Sequence, residues 1–372
     1  MLQQGIIIIM WGSLMPELII EFSLSEASAG TVLGLGAFGF FFGPLLSGPA
    51  IDRTGLKLIL LLGFTGELIF LLMLSVSQWY WMLVFSAFMI NLCCGFIQTA
   101  GNVLPNRLSL PSIGSFMNLV HFVLSFGSFL TPSLIGWYVN ATGLWRAVPV
   151  IIALSSLPLI ILTLFTREGQ GRKPLVNVPR KPFVFMETLR DRSIRGGTLT
   201  LFCYVGGEVG FSAWVVYYLR TSLNFSPFHA SAGLSVLWMG LMIGRFVNTF
   251  LSKKFTSRSI VTAAGTMGCL SILLFLSTAS FFTVYALLVL IGLCMSGIFP
   301  TVMAEINHRY PESTGAVTAT LALGASFGSL SFQWLIGVTA EHTSITWALT
   351  LPALLMGGVA GAFLYTYRSL DT

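Results

Sequence analysis

Long apolar runs alternate with short polar breaks along the whole chain of 372 residues. Each run holds about twenty residues, the length that an α-helix needs to cross a hydrocarbon core about 30 Å thick. The pattern therefore predicts an all-α polytopic membrane protein with twelve transmembrane helices. The predicted spans are Gly5–Phe22, Ala27–Ala50, Leu56–Val76, Trp79–Gly101, Ile113–Val139, Leu144–Phe165, Gly197–Leu219, Phe228–Phe250, Ser259–Leu276, Phe281–Ile306, Gly315–Thr339 and Thr346–Tyr367.

The composition agrees with this pattern. Charged residues make up 9% of the chain and hydrophobic residues 55%, and the mean hydropathy is +0.87. A soluble domain needs charge at roughly a quarter of its positions to cover its surface. The composition therefore excludes a soluble fold.

The basic residues predict how the spans are oriented. If the N-terminus is cytoplasmic, all but two of the nineteen Lys and Arg residues lie inside or at inner helix ends, and the exceptions are Arg146 and Arg220. Basic residues accumulate in cytoplasmic loops, so we expect both termini in the cytoplasm and a multi-pass protein of the plasma or inner membrane. The net charge of +6 has the same origin and does not indicate a nucleic-acid partner.

A basic, proline-containing segment follows the sixth span. It divides the chain into an N-terminal six-helix bundle, residues 1–166, a cytoplasmic central loop, residues 167–195, and a C-terminal six-helix bundle, residues 196–372. Paired bundles of this kind are typical of transporters that move two repeats around a site at the midplane.

The polar break after the second span reads Gly48-Pro-Ala-Ile-Asp52-Arg53-Thr-Gly55-Leu-Lys57. It resembles the loop between the second and third spans of the major facilitator superfamily. With the twelve spans and the central loop, the resemblance covers the whole chain. It implies the major facilitator fold and a cytoplasmic latch between the two bundles. The predicted latch residues are Gly48, Asp52, Arg53, Gly55, Lys57 and Arg245.

The latch residues lead to specific structural expectations. We expect Gly48 to permit close helix contact and Gly55 to permit a tight turn. We expect Arg53 to reach an acidic partner such as Glu305 or Glu312.

Glu208 is the clearest ionisable residue at bilayer depth. Helical spacing places Tyr204, Glu208 and Phe211 on one face, with Tyr218 two turns beyond. Such groups are costly in lipid and usually face a cavity or a polar partner. A carboxylate among aromatic rings can accept the hydroxyl hydrogens of a sugar while a ring stacks on it. Glu208 is therefore a candidate for solute binding and for carrying a coupling ion.

The fourth and fifth spans add polar residues at helical spacing. The face of the fourth span suits a neutral hydroxylated ligand, and His121 of the fifth span either lines the site or makes an interhelical hydrogen bond. The predicted solute-binding residues are Asn91, Gln98, Asn102, Asn118, His121, Tyr204, Glu208, Trp214 and Trp238.

Three more charged residues lie in or near the spans. Glu17 is the second candidate for the coupling ion, because the adjacent Pro16 loosens the backbone and can open a polar niche. We expect Glu67, in the peripheral third span, to make a buried interhelical hydrogen bond. Arg245 is expected to pair with an acid or to extend to the interface.

Several motifs resemble the fucose–proton symporter branch of the superfamily. They lie in the fourth, fifth, seventh and eighth spans: Gln98-Thr-Ala-Gly-Asn102, Met117-Asn118-Leu-Val-His121, Tyr204-Val-Gly-Gly-Glu208 with Trp214, and Gly244-Arg245. That branch carries a carboxylate where this chain has Gln98, and another acid where it has Gly12. Both expected proton carriers are thus absent. Coupling to protons, coupling to sodium, and uncoupled transport remain open.

The leading hypothesis is a secondary transporter that moves a small hydroxylated solute, a sugar, by alternating access. One alternative is an exporter of amphipathic or cationic compounds, since the chain has thirty-one Phe and fourteen Met residues. Another is a transport-inactive membrane receptor with the same fold. We expect a monomer whose partners are the solute, the lipid bilayer and H⁺ or Na⁺.

The sequence offers no pattern for enzymatic chemistry. It has no metal-ligand cluster, no nucleotide-binding motif and no paired nucleophile and base. We expect no metal, no cofactor and no disulfide, because the thiols lie within predicted spans and behave there as small apolar groups. The five cysteines are Cys93, Cys94, Cys203, Cys269 and Cys294.

Overall fold

The computed structural model describes residues 1–107, 113–166, 189–310 and 313–367, without the side chains of 105–107 and 113–118. Twelve helices in this part of the chain are long and apolar enough to cross a membrane, so the predicted fold class is confirmed. Their bounds are α1 Leu2–Glu21, α2 Glu26–Thr54, α3 Leu56–Ser75, α4 Tyr80–Arg107, α5 Ile113–Thr142, α6 Ala147–Phe165, α7 Arg192–Thr221, α8 Pro227–Leu251, α9 Ser257–Leu276, α10 Phe281–Arg309, α11 Thr314–His342 and α12 Ile345–Tyr367.

Helix α7 begins earlier than the hydropathy indicates, inside the segment that we assigned to the central loop. Asp191 explains this start, because its carboxylate accepts hydrogen bonds from the backbone N–H groups of Ser193 and Ile194 at 2.7 and 3.2 Å. Residues 167–188 of the predicted loop lie outside the described residues.

Three helix pairs make the main contacts between the first six helices and the last six: α1 with α7, α2 with α11, and α5 with α8. Because the number of spans is even, α1 begins at the end where α12 finishes. We call this end the termini end and the opposite one the far end.

At the far end the two sets of helices pack closely. Gly30 of α2 lies against Gly337 of α11, so near that a Cβ added to Gly30 would be 3.1 Å from the Gly337 Cα. On the other side, the hydroxyl groups of Ser133 and Ser235 are hydrogen-bonded at 2.8 Å and link α5 to α8. The far end is therefore closed.

Toward the termini end, α2 and α11 separate. The rings of Phe41 and Phe327 are 5.5 Å apart, whereas a Cβ added to Gly48 or Gly315 would meet no atom of the described residues within 4 Å. In this conformation Gly48 makes no close contact with another described helix, and its expected role stays a prediction. The halves meet at the far end and are parted at the termini end.

The turn between α2 and α3 is held to the first six helices. Gly55 has φ +91°, so the expected tight turn at a glycine is confirmed. The Lys57 ammonium donates to the backbone carbonyls of Leu164 and Thr166, at 2.7 and 3.0 Å, where α6 ends. This contact joins two helices of the same half and does not bridge the two halves.

Of the two expected partners of Arg53, the structure describes Glu305. Glu305 forms an ion pair with Arg309, one turn along α10, at 2.8 Å. Glu312 lies outside the described residues. Asp52 and Arg53 are exposed near the termini end, so their predicted place in a latch stays a prediction.

Candidate functional site

Glu208 lies in the middle of α7 and is 8% exposed. Its Oε1 atom has no hydrogen-bond partner in the described part of the chain. Tyr204, one turn earlier, and Arg245 of α8 both interact with the carboxylate. A buried acceptor without a donor costs free energy, and in native proteins it usually marks a place where a ligand or water binds.

Arg245 lies at the junction of three helices. Its guanidinium donates a hydrogen bond to the Ser125 hydroxyl of α5 and acts electrostatically on Glu208 and on His121. Among the described residues, no ion-pair contact joins Arg245 to Glu208. Arg245 and Glu208 therefore act on each other over more than ion-pair distance.

We call His121, Ser125, Tyr204, Glu208 and Arg245 the central polar cluster. The sequence indicated Glu208, Tyr204 and His121, but assigned Arg245 to the latch. The structure places Arg245 beside these residues, where its hydrogen bond to Ser125 crosses the contact between the halves.

Further buried polar atoms in the described part of the chain have no hydrogen-bond partner. The indole N–H groups of Trp11 and Trp238 lack an acceptor, and the Gln98 Oε1 atom and the Ser212 hydroxyl also have no partner among the described residues. These atoms come from α1, α4, α7 and α8. Neither Trp11 nor Ser212 was predicted, because each lies in an apolar stretch with no periodic polar pattern.

Some predicted binding residues have other roles in the structure. Trp214 is fully buried, and its indole N–H donates to the backbone carbonyl of Gln333 on α11 at 3.0 Å, so this N–H is already paired within the last six helices. Asn91 donates to the Ala87 carbonyl of its own helix and lies against Gly36 of α2.

The remaining two predicted residues occupy the termini end. Asn102 is exposed on α4, one turn nearer the termini end than Gln98. Asn118 belongs to α5, but its side chain lies outside the described residues.

Glu17 is not free to act as a simple cation ligand. It forms an ion pair with Arg220 of α7, across the two halves at the far end. Two more polar contacts join the two halves nearby. The Tyr217 hydroxyl donates to Glu26 at 2.8 Å, and the backbone N–H of Ala27 donates to Glu341 at 2.9 Å. We call these three contacts the far-end closure.

Glu67 makes the interhelical hydrogen bond that we expected. The Gln4 side chain of α1 donates to its Oε1 atom at 2.6 Å, and the Cys94 thiol of α4 contacts the same oxygen at 3.4 Å. Glu67 is fully buried within the first six helices and separate from the central polar cluster.

Comparison with known proteins gives the family. The Major Facilitator Superfamily model matches residues 2–329. A TsgA homolog of Buchnera aphidicola is 22% identical over 315 residues, covering 81% of this chain and 76% of the relative. A Helicobacter pylori protein named as a glucose/galactose transporter is 24% identical over 162 residues, 42% of this chain and 40% of that protein.

A solved structure shows the same fold. The D-xylose-proton symporter superimposes with a TM-score of 0.76 at 14% identity, covering 99% of this chain and 94% of that one. The twelve-helix architecture and the family match over most of the sequence agree. The chain belongs to the Major Facilitator Superfamily and is a membrane transporter, not an enzyme.

Proposed function

We propose that the protein moves a small hydroxylated solute, a sugar, by alternating access, with H⁺ or Na⁺ as the coupling ion. The observation that carries this proposal is the buried Glu208 carboxylate, which has an oxygen without a hydrogen-bond partner and faces the Arg245 guanidinium. Such a pair presents a hydrogen-bond acceptor and a hydrogen-bond donor, and a sugar hydroxyl can bond to both.

The buried polar atoms without partners suit a polyol better than a charged solute. Glu208 and Gln98 offer acceptor oxygens, while Trp11 and Trp238 offer N–H donors. Each sugar hydroxyl donates one hydrogen bond and accepts others, so it satisfies both kinds of group. Burying these atoms without a ligand is unfavourable, and solute binding would relieve that cost.

The similarity to sugar carriers supports this assignment. The Helicobacter pylori relative and the structural neighbour are named for glucose or galactose and for xylose. Arg245 weighs against the cationic exporter, because its positive charge lies close to the only buried carboxylate of the cluster. The far-end closure weighs against an inactive receptor, since such contacts serve a protein that opens and closes.

We also propose an orientation and a domain organisation. The bundles comprise residues 1–166 and 196–372, joined by the cytoplasmic loop 167–195, although α7 itself starts at Arg192. Positive residues concentrate at the termini end, so we place this end in the cytoplasm of a plasma or inner membrane. The described conformation then opens inward, and the protein works as a monomer.

Uptake into proteoliposomes tests the proposal. A panel of labelled hexoses, pentoses, nucleosides and cationic dyes is offered with an imposed proton gradient, an imposed sodium gradient, or neither. We expect saturable uptake of at least one sugar and none of the dyes. Dye transport without sugar transport would overturn the proposal in favour of an exporter, and the absence of any flux would favour a receptor.

Replacing Trp238 by Phe should weaken sugar binding about 3- to 10-fold, because it removes one neutral N–H donor and keeps the ring. The measurement is the half-saturation concentration for uptake. Trp347→Phe is the matched control, since Trp347 is 69% exposed and far from the cluster. Equal half-saturation concentrations for the two variants would show that Trp238 does not bind the solute.

A further inference from the structure

A second polar cluster lies within the first six helices. It consists of Gln3 and Gln4 on α1, Glu67 on α3, Cys94 on α4 and Ser156 on α6. Gln4 and Glu67 are fully buried, and Gln3 is 5% exposed. The Gln3 amide donates to the Ser156 hydroxyl at 2.6 Å, so α1 is bound to α6 beside its bond to α3. The solute-site proposal uses none of these residues.

Gln4 and Glu67 are hydrogen-bonded to each other, but one oxygen of each side chain has no partner in the described residues. The Gln4 Nε2 atom donates to Glu67 Oε1 at 2.6 Å. The other oxygen of each group, Gln4 Oε1 and Glu67 Oε2, is buried and has no partner in the described residues. Both atoms are acceptors if Glu67 is ionised, so neither can satisfy the other.

A single proton resolves this mismatch. A carboxylic acid and a carboxamide each present one donor and one acceptor along matching edges. With a proton on Oε2, Glu67 has the donor that the Gln4 oxygen lacks, while the existing amide bond to Oε1 is kept. The neutral acid also avoids burying a carboxylate, which costs several kcal/mol in a protein interior.

The titratable groups around Glu67 offer little to stabilise its charge. In the portion of the chain that the structure describes, these are the thiols of Cys93 and Cys94 and the amino group of Met1. The thiols carry no positive charge, and burial lowers the pKa of the Met1 amino group, which disfavours its charged form. No Lys, Arg or His side chain of the described residues is in contact with the Glu67 carboxyl group.

We propose that Glu67 and Gln4 form a proton-binding site, separate from the solute site, and that the described conformation is its protonated state. A hydronium ion of the solvent gives one proton to the carboxylate when the site forms, so that one O–H bond breaks as another forms, and the acid returns the proton to water when the site opens. The claim that this site binds a proton is independent of the proposed transport function. The claim that it couples the proton to transport rests on that function.

The position of Gln4 explains how a proton could influence the transport cycle. Gln4 lies on α1, and this helix also packs on α7. A Cβ added to Gly12 of α1 would lie 2.5 Å from the Ser212 carbonyl oxygen of α7. Protonation of Glu67 completes the bond between α3 and α1, and loss of the proton leaves a buried charge that weakens it. The proton thereby favours one position of α1 relative to the last six helices.

Infrared difference spectroscopy on the protein in lipid nanodiscs tests the proton site without reference to transport. We expect a protonated-carboxyl band at neutral pH that shifts in D₂O, disappears in Glu67→Gln and persists in Glu208→Gln. The Gln variant keeps an amide–amide pair, so we expect it to fold, and thermal unfolding checks this. An ionised Glu67 at neutral pH, or a band unchanged in Glu67→Gln, would overturn the proposal.

A second variant distinguishes the pair from burial alone. Gln4→Leu removes the amide and should shift the Glu67 band to the position of a carboxylic acid without this partner. A band at the same position would overturn the role of Gln4. An N-terminally extended chain, which moves the Met1 amino group away, should retain the band.

Transport then tests the coupling role. If the chain carries a sugar, Glu67→Gln should lose proton-driven accumulation and retain sugar counterflow within about twofold, since the solute site is intact. Unchanged proton-driven accumulation would overturn the coupling role. If no sugar is carried by the wild type while the infrared result holds, the proposed function fails and the proton site stands.

Discussion

Replacing Glu208 by Gln should abolish gradient-driven accumulation of the solute and weaken its binding about 10- to 100-fold. The amide keeps the shape of the side chain but removes the charge, and a hydrogen bond to a charged group contributes about 1.5–3 kcal/mol. The neutral amide also takes up no coupling cation. Uptake under an imposed gradient and the half-saturation concentration for counterflow measure the two effects separately.

Glu21→Gln is the matched control for this prediction. Glu21 pairs with Arg146 at 2.9 Å within the first half, at the far end, and does not contact the central polar cluster. We expect its transport to remain near the wild-type level. Solute accumulation at the wild-type level in Glu208→Gln would show that Glu208 acts neither in solute binding nor in coupling.

Arg245 provides a further check on the same site. In Glu208→Gln, the guanidinium loses the nearby negative charge and keeps only its bond to Ser125. If the two charges act together, the double variant Glu208→Gln/Arg245→Gln should differ from the sum of the single variants by more than about 0.5 kcal/mol in solute binding. Additive effects would mean that the two residues bind the solute independently.

Breaking the Glu17–Arg220 ion pair should open the far end. The side chains are only 13% and 21% exposed, so either Glu17→Gln or Arg220→Gln leaves a poorly solvated charge behind. We expect a cost of about 1–3 kcal/mol, between that of exposed and that of buried pairs, and about a 10- to 100-fold shift toward the outward-open state. The reciprocal exchange Glu17→Arg/Arg220→Glu should reverse most of this shift.

The conformational shift is measured by pulsed EPR between spin labels at Ala141 and Ser222, exposed residues at the far ends of α5 and α7. Each single variant should add a longer distance to the distribution. Glu21→Gln again serves as control, because its ion pair joins residues of the first half only. Unchanged distances in both single variants would show that the ion pair does not hold the far end closed.

The helices could be predicted from sequence because hydropathy and span length are local properties. All twelve spans were predicted, with ends that shift by a few residues where a cap such as Asp191 extends a helix. The tight turn at Gly55 and the hydrogen-bonded state of Glu67 were also predicted. Both follow from residue chemistry that requires little knowledge of distant neighbours.

The site was predicted only in part, because its contacts join residues far apart in the chain. Helical spacing groups Tyr204 with Glu208, but it does not say which side of α7 faces α11, and this decides the role of Trp214. Arg245 meets Ser125 and Glu17 meets Arg220 across the two halves. No local pattern near any of these residues indicates its partner.

Helix α1 links three of the features described above. It carries Gln4 near its start, Gly12 at its contact with α7, and Glu17 near its far end. Gln4 and Glu17 are thirteen residues apart, which corresponds to about 20 Å along a helix. The helix is free of proline from Gln4 to Met15, so a displacement at Gln4 is passed along it to the region of Glu17. One proton on Glu67 could thus bias the far-end ion pair, and genetic suppressors of Glu67 variants should map to Glu17 or Arg220.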